Sequence, residues 1–402
     1  MTQKTEPIIV VGGGLGGAAV SLALARKGFR VRLLEQAPEF GVIGYGIQLG
    51  PNVFSMFDRL GVSDAVQKQS IVPKAVLMID SVDAGVIARV PTGASFEARF
   101  KRPYIVIHRV DLHRILLDAC AANDNVELMP LTGAERFEDK GDGVQLRTAD
   151  NRTIEGAALI GADGLRSTIR QQMLDEGEPR TIGYVAHRTI VPMQDVKADV
   201  YRNEVVLWSG PGFHLVHYPL RKSTLFNIVA VFRTSTYLDR GDIASYRADL
   251  DRTYRDSHPS MRALLSMMDL ERRWVISDRD PIRHWSKGRV TLLGDAAHPT
   301  PQSLAQGACM AIEDAVCLAE TIGQSGGDFE QAFRRYENAR YLRTARVQYE
   351  SRYLWDNFYH LGGIEREVMR DAWQGRSEDD MFDCLAWLYD GFPLPEPQEK
   401  AA

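Results

Sequence analysis

The sequence predicts a mixed fold: an α/β domain built on a parallel sheet, an antiparallel α+β unit inserted into it, and a helical region at the C-terminal end. Three observations predict it. An apolar strand near residue 8 runs into a glycine turn and a helix. A second apolar strand near residue 290 ends in a Gly-Asp turn. Between them, residues 182–234 hold several strand-like runs without a long helical period, which is typical of an antiparallel sheet.

The first strand and its turn begin a βαβ unit, with a helix expected over 16–27. The turn reads GGGLGG, and the glycines at Gly12, Gly14 and Gly17 let backbone amides approach a pyrophosphate at a helix N-terminus. Glu35 ends the next strand, where a carboxylate can accept hydrogen bonds from ribose hydroxyls. A glycine cluster alone also marks a plain turn, but this context predicts a Rossmann-like nucleotide-binding domain.

The segment that follows is less regular. Residues 41–52 are glycine-rich and apolar, which predicts a loop, and a helix is expected from about 52 to 60. Residues 72–103 alternate weakly, which predicts β structure that leaves the first domain. A strand over 104–108 then leads to a helix over 110–122.

Two polar turns in this part of the chain are candidates for ligand contact. Arg109 follows a strand and could pair with a phosphate or with Asp111. Asp163-Gly164 lies between an apolar strand and a helix, where a turn presents a carboxylate and backbone amides; the alternative is an ordinary hairpin turn. The nearby histidines lack metal-ligand spacing, so no metal site is predicted.

The inserted unit contains the segment FHLVHYPL, whose alternation points His214, Val216 and Tyr218 to one face of a strand. A histidine and a tyrosine that share a face are either exposed to solvent or line a pocket. The residues alone favour exposure to solvent slightly over a pocket.

The second Gly-Asp turn, at Gly294 and Asp295, opens the segment GDAAHPTPQSLAQGACMAIEDA. The aspartate could merely cap the next turn. Here, however, a tight turn, two stiffening prolines and a glycine-led helix occur together. Amides at that helix start would stabilise negative charge on a reduced flavin ring. Since an NAD domain needs only the first glycine motif, the second predicts the longer cofactor FAD.

The C-terminal part is predicted to be helical, with one long tract from about 305 past 350, a helical tail over 363–390 and a frayed end over 394–402. Because β structure interrupts the nucleotide-binding elements, the domains are discontinuous. We assign residues 1–75, 104–181 and 276–350 to the FAD-binding domain. Residues 76–103 and 182–275 are assigned to the substrate domain, and residues 351–402 to the helical tail.

Composition argues against several classes of function. The formal net charge of −5 gives no support for nucleic-acid binding. No apolar run approaches the ~18 residues that a membrane helix needs, and no signal-peptide apolar region is visible, so no membrane association is expected. The four cysteines lack CxxC spacing, and Cys309 and Cys317 are expected to be buried. This cysteine usage predicts a reducing, cytoplasmic compartment.

The motifs GGGLGG with Glu35, HRVDLH, GADGLRS and GDAAHPTPQSLAQGACMAIEDA together resemble the single-component FAD-dependent aromatic hydroxylases (class A flavoprotein monooxygenases) over nearly the whole chain. Such enzymes use FAD, take a hydride from NADH or NADPH, and insert one atom of O₂ into a phenolic ring. GIQLGPN, FDRLGV, FHLVHYPL and DCLAWLYDG are most similar to members that act on 3-hydroxybenzoate. The resemblance implies conversion of that phenolic acid to 2,5-dihydroxybenzoate (gentisate) through a flavin C4a-hydroperoxide.

The resemblance also implies site residues. His214 and Gln302 correspond to the catalytic pair that hydrogen-bonds the substrate phenol, which favours a pocket-facing His214, and Tyr104 and Tyr218 correspond to pocket tyrosines. The expected cofactor contacts are Gly12, Gly14, Leu15, Gly17, Glu35, Gln36, Gly46, Arg109, Asp163, Gly294, Asp295, Pro299, Gly307 and Ala308.

The chemistry explains the catalytic pair. Phenolate is a better nucleophile than phenol, and histidine has a pKa suited to accepting the phenol proton. We therefore expect His214 to act as base or relay and Gln302 to fix the hydroxyl. No second glycine fingerprint is visible, so NADH, or else NADPH, is expected as a transient co-substrate. A homodimer is expected by resemblance.

Departures from the family pattern leave the substrate open. Tyr45 stands where the family usually carries alanine, and Pro301 and Ser303 flank Gln302 where close relatives show leucine and tyrosine. The alternatives are a hydroxylase of another aromatic acid, of the salicylate or 6-hydroxynicotinate type, an FAD oxidoreductase without oxygen insertion, and a non-catalytic flavoprotein.

Overall fold

The computed structural model describes residues 6–41, 44–234 and 243–396. These residues form 18 strands and 12 helices. In chain order the strands are β1 (Ile8–Val11), β2 (Val31–Leu34), β3 (Gly46–Leu49), β4 (Ala75–Asp80), β5 (Val86–Pro91), β6 (Ile105–His108), β7 (Val126–Met129), β8 (Ala134–Asp139), β9 (Val144–Thr148), β10 (Thr153–Gly156), β11 (Ala158–Gly161), β12 (Arg180–Pro192), β13 (Val205–Gly210), β14 (Phe213–Leu220), β15 (Leu225–Arg233), β16 (Trp274–Asp278), β17 (Ser286–Lys287) and β18 (Val290–Leu292).

The helices alternate with the strands in the first half of the chain and dominate the last third. In chain order they are α1 (Leu15–Arg26), α2 (Phe54–Leu60), α3 (Ser63–Gln69), α4 (Ala94–Phe100), α5 (Arg109–Ala121), α6 (Thr168–Leu174), α7 (Ile243–Tyr254), α8 (Pro259–Leu265), α9 (Gly307–Gln324), α10 (Phe329–Leu354), α11 (Gly363–Gln374) and α12 (Glu378–Tyr389).

A six-stranded sheet in the order β17-β18-β11-β1-β2-β7 carries the predicted Rossmann-like unit. Its strands are parallel except β17, and Ile8 of β1 is in register with Ala158 on one side and Val31 on the other. β1 and β11 are buried along their whole length because helices cover the sheet, with α1 packed on α5 and α9. The carboxyl end of β1 therefore lies beside the ends of β11 and β18, next to both predicted glycine turns.

A seven-stranded sheet in the order β16-β12-β15-β14-β13-β4-β5 forms the second layer. Its pairs are antiparallel except β13 with β4. Phe213 and Leu215 of β14 pack into the core beneath α7 and α8, so the alternate residues His214 and Tyr218 lie on the opposite face. The predicted alternation of this strand is confirmed. The domain bounds assigned from the sequence stay a prediction.

Two local predictions are wrong. Residues 46–49, expected in a loop, form β3 and pair antiparallel with β6; this pairing, which the glycine-rich composition obscured, satisfies their backbone groups. Residues 94–100, expected in β structure, form α4. Phe96 and Phe100 of that helix are buried against the aromatic rings of Phe382 and Tyr389, so tertiary packing decides their conformation.

The long C-terminal tract is two helices. α9 and α10 are separated at Gly326 and Gly327, whose positive φ angles of 63° and 103° end the first helix. A π-helical turn over Trp355–Tyr359 follows α10. Within the predicted frayed end, residues 397–402 lie outside the described part of the chain, and the carbonyls of residues 395 and 396 accept hydrogen bonds from α9 and α10.

The cysteines confirm one expectation from the sequence. Cys309 and Cys317 are fully buried, as predicted, and none of the four cysteines forms a disulfide. Over the described ranges, we find no helix with the combined length and apolar character that crossing a bilayer requires.

Candidate active site

A cavity of about 840 Å³ is lined by residues from the parts of the chain that carry the two large sheets. Its walls come from the glycine turn before α1, from β3, β4 and β14, from the loop after β18, and from α9 to α12. The cavity brings together most of the predicted site residues: Gly14, Leu15, Gly46, Tyr104, Arg109, His214, Tyr218, Gly294, Asp295, Gln302, Gly307 and Ala308.

Close packing requires glycine at two positions of the glycine turn, whereas a third position has open space beside it. A Cβ at Gly17 would lie 1.9 Å from the carbonyl oxygen of Gly12, and one at Gly12 would lie 2.4 Å from the carbonyl oxygen of Ala162. Both sites therefore require glycine for the fold itself. Gly14 differs, because a Cβ there meets nothing within 4 Å and its φ of −72° is open to any residue. The space beside Gly14 belongs to the cavity.

Glu35 lies at the turn, as expected. Its carboxylate accepts hydrogen bonds from the backbone N–H groups of Gly13 and Ala37, each over 2.9 Å. Gln36 follows at the exposed end of β2. Neither residue lines the cavity described above, so both lie at the outer side of the glycine turn.

Arg109 is an unpaired cation in the cavity wall. Asp111, the alternative partner, instead accepts two hydrogen bonds from Arg221, over 2.8 and 2.9 Å. Within the described part of the chain, the Arg109 guanidinium makes no hydrogen bond or ion pair. Burial lowers the pKa of Arg109, and the carboxylate of Asp295 opposes this effect. The side chain is thus available for an anionic group.

Asp163 lies beside the cavity, with its carboxylate turned to the start of α6. Its carboxylate accepts hydrogen bonds from the Ser167 hydroxyl over 2.5 Å and from the Ile169 N–H over 3.2 Å, so it holds the start of α6. Its neighbours Ala162 and Gly164 line the cavity, while Asp163 does not. A backbone contact with a ligand is compatible with this geometry, and a carboxylate contact is not supported.

The loop after β18 leads into the start of α9. Gly294 adopts a positive φ of 61°, and burial raises the pKa of Asp295, against the opposing charges of His298 and Arg109. The carbonyl of Pro299 accepts a hydrogen bond from Gln348 over 2.9 Å, which fixes the loop to α10. α9 has no side-chain cap, so its first amides, at Gly307 and Ala308, face the cavity with unused donors.

A buried charge network that sequence reasoning missed supports this loop. Asp314 on α9 accepts hydrogen bonds from the N–H of Gly294, from His298 and from Arg340, over 3.1, 2.6 and 2.7 Å. Next to it, Glu313 accepts from Arg340 and Arg343, over 2.6 and 2.7 Å. The only signal in the sequence was an acidic pair inside an otherwise apolar helix.

His214 and the two tyrosines predicted to line a pocket, Tyr104 and Tyr218, all line the cavity. All three residues are buried. Tyr104 donates a hydrogen bond to Gln48 over 2.5 Å. The ring of Tyr218 lies against Gly46, where a Cβ would be 2.4 Å from it, so this glycine is explained by close ring packing. Burial lowers the pKa of His214 well below its usual value, with a further contribution from His360, so the imidazole is neutral at pH 7.

Gln302 lies in the same cavity and is hydrogen-bonded to Arg188. The guanidinium donates to Oε1 of Gln302 over 2.6 Å. Arg188 also lines the cavity, its Nε has no partner in the described residues, and burial lowers its pKa. No local motif marks Arg188 in the sequence; the fold places it in β12, in register with Val229 of β15.

The residues that depart from the family pattern have identifiable contacts. Ser303 donates a hydrogen bond to the carbonyl of Ser351 over 2.6 Å and accepts one at its own carbonyl from Tyr359 over 2.8 Å. Pro301 lines the cavity, and Tyr45 packs edge-on against Trp274 at 5.2 Å. The loop that carries Gln302 is therefore tied to the end of α10.

Comparisons with known proteins agree with this geometry. Residues 5–348 match the family of FAD binding domains. The chain is 42% identical over 383 residues to a 3-hydroxybenzoate 6-hydroxylase of Polaromonas naphthalenivorans (strain CJ2), covering 95% of each protein. The chain belongs to the FAD-dependent aromatic hydroxylases. It is also 34% identical to a 6-hydroxynicotinate 3-monooxygenase of Pseudomonas fluorescens, over the full length of both.

The hydroxylase fold is also found among solved structures. Klebsiella pneumoniae HpxO, complexed with FAD and uric acid, superposes with a TM-score of 0.85 at 25% identity, over 96% of each chain. A salicylate hydroxylase substrate complex superposes with a TM-score of 0.77 at 21% identity, over 96% of this chain and 95% of the other, which supports the fold alone.

The residues of this hydroxylase fit FAD. The open space at Gly14 admits a ligand against the backbone, the unpaired guanidinium of Arg109 suits a pyrophosphate, and the uncapped start of α9 suits a negatively charged ring. A cofactor held there would extend from the glycine turn to the loop after β18. FAD is thus the cofactor expected from the two separated motifs.

Proposed function

We propose that this hydroxylase uses NADH, or else NADPH, and O₂ to hydroxylate a phenolic carboxylic acid, and that 3-hydroxybenzoate, converted to 2,5-dihydroxybenzoate, is its substrate. One observation carries the proposal: His214 and Gln302 line the same cavity as the glycine turn and Arg109. The 42% identical relative named for this reaction supports the choice of substrate. When bound, FAD supplies electron transfer from the nicotinamide to O₂ and the transfer of oxygen to the ring.

His214 is proposed to accept the phenol proton. Its Nδ1 lies 2.7 Å from a ring nitrogen of His360, so Nε2 is the nitrogen left for a ligand in the cavity. Burial keeps this imidazole neutral at pH 7, and in the tautomer with its proton on Nδ1 the lone pair lies on Nε2. Removal of the phenol proton places charge on the ortho and para carbons, which activates the ring towards an electrophilic oxygen. General base catalysis of this kind supplies about 10²–10⁴-fold in rate.

Gln302 is proposed to donate a hydrogen bond to the phenol oxygen. A guanidinium has donors only, so the amide atom that faces Arg188 must be the oxygen. The NH₂ group of Gln302 is therefore left for other partners, and it can stabilise a phenolate but cannot accept the phenol proton. The two proposed roles are therefore distinct: His214 accepts the phenol proton, and Gln302 donates a hydrogen bond to the phenol oxygen.

Arg188 is proposed to supply positive charge for the substrate carboxylate. Arg188 is a partly buried cation whose Nε atom is fully buried, and it has no carboxylate partner in the described residues. Burial of an unpaired charge is costly, and an anionic ligand would offset that cost. This local positive charge supports an acid as the substrate class, although the chain as a whole carries a net negative charge.

We also propose a homodimer. Leu342, Tyr349 and Tyr353 of α10 lie on one helix face, and Ile364 and Val368 of α11 lie one turn apart. Between 52% and 69% of each of these side chains is exposed. A second copy of the chain would cover this apolar surface. The cytoplasm is the proposed compartment, because it keeps the four unpaired cysteines reduced.

The proposal is tested by screening phenols for stimulated NADH and NADPH consumption under ¹⁸O₂, with the product identified by mass and retention time. The panel contains 3-hydroxybenzoate, salicylate and 6-hydroxynicotinate. We expect ¹⁸O-labelled 2,5-dihydroxybenzoate from the first. Labelled product from another acid would change the substrate, and nicotinamide oxidation with no labelled product from any phenol would favour an FAD oxidoreductase without oxygen insertion.

A further inference from the structure

His214 has a second histidine as its direct partner. Its Nδ1 lies 2.7 Å from Nε2 of His360, and the two ring planes are nearly parallel, at 18°, with centroids 5.0 Å apart. Across the described chain, this is the one hydrogen bond that the His214 ring makes. The orientation of His214 in the cavity therefore depends on a residue that comes after α10.

His360 is itself held by aromatic packing. It stacks on Tyr184 at 4.7 Å with an interplanar angle of 17°, and the edge of Trp355 meets it at 5.0 Å. Trp355 and Tyr359 also meet the His214 ring edge-on, at 5.3 and 5.5 Å. The π-helical turn after α10 therefore contributes two aromatic rings, those of Trp355 and Tyr359, that pack around the histidine pair.

The distance of 2.7 Å between the facing nitrogens requires that one of them, and not both, carries a proton. Two neutral imidazoles 2.7 Å apart hold a single hydrogen between the facing nitrogens, since two lone pairs or two N–H groups would repel. Burial lowers the pKa of both histidines, that of His360 to about 3, so the pair is neutral at pH 7. The charged group that acts on His360 is Arg233, which also lowers its pKa.

The surroundings of His360 decide which ring donates. Burial, the larger effect, lowers the pKa of His360, while the backbone of Trp355 raises it. Because Nε2 of His360 faces His214, Nδ1 is the nitrogen left to carry a proton towards Trp355, and it makes no hydrogen bond within the described residues. A neutral imidazole protonated at Nδ1 has its lone pair on Nε2. His360 is then the acceptor and His214 the donor.

We propose that His360 is a positioning residue for His214: it accepts a hydrogen bond from Nδ1–H of His214 and so holds the tautomer whose Nε2 lone pair meets the substrate phenol. This inference rests on the proposed function, in which His214 accepts the phenol proton. The opposite tautomer would place a hydrogen on Nε2, and His214 could then only donate. When Nε2 takes the proton, the bond to His360 also stabilises the imidazolium.

The test compares His360→Phe with the wild-type holoenzyme. Phenylalanine keeps an aromatic ring for stacking but removes the acceptor, and His360→Leu replaces it if the first variant does not load FAD. The readout is the ionised fraction of bound 3-hydroxybenzoate, followed by difference absorbance across pH, together with the yield of hydroxylated product per NADH. We expect the yield to fall between about 10-fold and 100-fold, the range of a hydrogen bond to a charged group, and the phenol to ionise at higher pH.

The double variant His214→Ala/His360→Phe separates positioning from a structural role. If His360 acts through His214, the double variant loses no more than His214→Ala alone, because coupled residues are not additive. Losses that multiply, or a His360→Phe enzyme that ionises the phenol like the wild type, would overturn the inference. Failure of the proposed function has a different signature: the wild type itself then forms no labelled product from any phenol, and the inference falls with it.

Discussion

Arg188 donates a hydrogen bond to the amide oxygen of Gln302, and both side chains line one cavity. The contact orients the amide and leaves the guanidinium without a counter-charge in the described residues. Positive charge and a fixed donor therefore stand side by side where the substrate is proposed to bind. Substitution of Arg188 can therefore test whether binding depends on a carboxylate in the substrate.

We predict that Arg188→Met weakens binding of 3-hydroxybenzoate by about 10-fold to 100-fold, since a hydrogen bond to a charged group contributes about 1.5–3 kcal/mol. Binding of the neutral 3-hydroxybenzamide should change by less than about 3-fold. Titration of flavin absorbance gives both dissociation constants. Arg136→Met, at an exposed site on β8, serves as control. Equal losses for acid and amide would contradict the role of the charge.

We predict that Gly14→Val folds but does not load FAD. A Cβ at this site meets no protein atom within 4 Å, and the two methyl groups of valine would occupy the space where the cofactor is expected to meet the backbone. The ratio of flavin to protein absorbance should fall to background while the unfolding temperature of the flavin-free protein stays unchanged. Gly177→Val, which is equally open but remote from the cavity, should stay yellow. A fully loaded Gly14→Val protein would refute the site.

We predict that His214→Ala retains FAD and continues to oxidise NADH, but that hydroxylated product falls by about 10²–10⁴-fold while H₂O₂ accumulates. The reason is that the phenol then loses its proton acceptor. His217→Leu is the matched control, because His217 lies on the opposite face of β14 and neither of its ring nitrogens has a partner in the described chain. Product yield and peroxide are measured together, and an unchanged yield in His214→Ala would remove it from the mechanism.

We predict that Asp314→Asn lowers the free energy of unfolding by about 3–5 kcal/mol, the cost of breaking a buried ion pair. Burial would raise the pKa of Asp314, but His298 and Arg340 hold it down to about 2, from a usual value of 3.8. Because the folded pKa is lowered, this stabilisation is complete above pH 3.8 and is lost as pH falls towards 2. The difference between wild type and variant, measured by urea unfolding, should shrink over that range. A constant difference would contradict the assignment.

The parts of the fold with strong local signals were predictable from the sequence. The glycine turn, Glu35 and the loop after β18 each follow a buried strand, and parallel strands bring their carboxyl ends together. β3 was not predictable, because its four residues become a strand only by pairing with β6. The helix α4 was missed for a similar reason: its phenylalanines pack against residues near the end of the chain.

The site residues that sequence reasoning missed depend on long-range contacts. Asn52 donates a hydrogen bond to Glu313, 261 residues away, and Arg188 meets Gln302 over a separation of 114 residues. His360 reaches His214 over 146 residues. No local pattern marks such partners, since each is an ordinary polar residue until the chain is folded. The roles predicted for individual site residues stay predictions.

The π-helical turn and the two helices after it form one wall of the cavity, yet they lie beyond residue 348, where the match to the FAD binding domain ends. Exchange of this terminal segment between relatives would therefore reshape one wall of the cavity without changing any residue within the matched range.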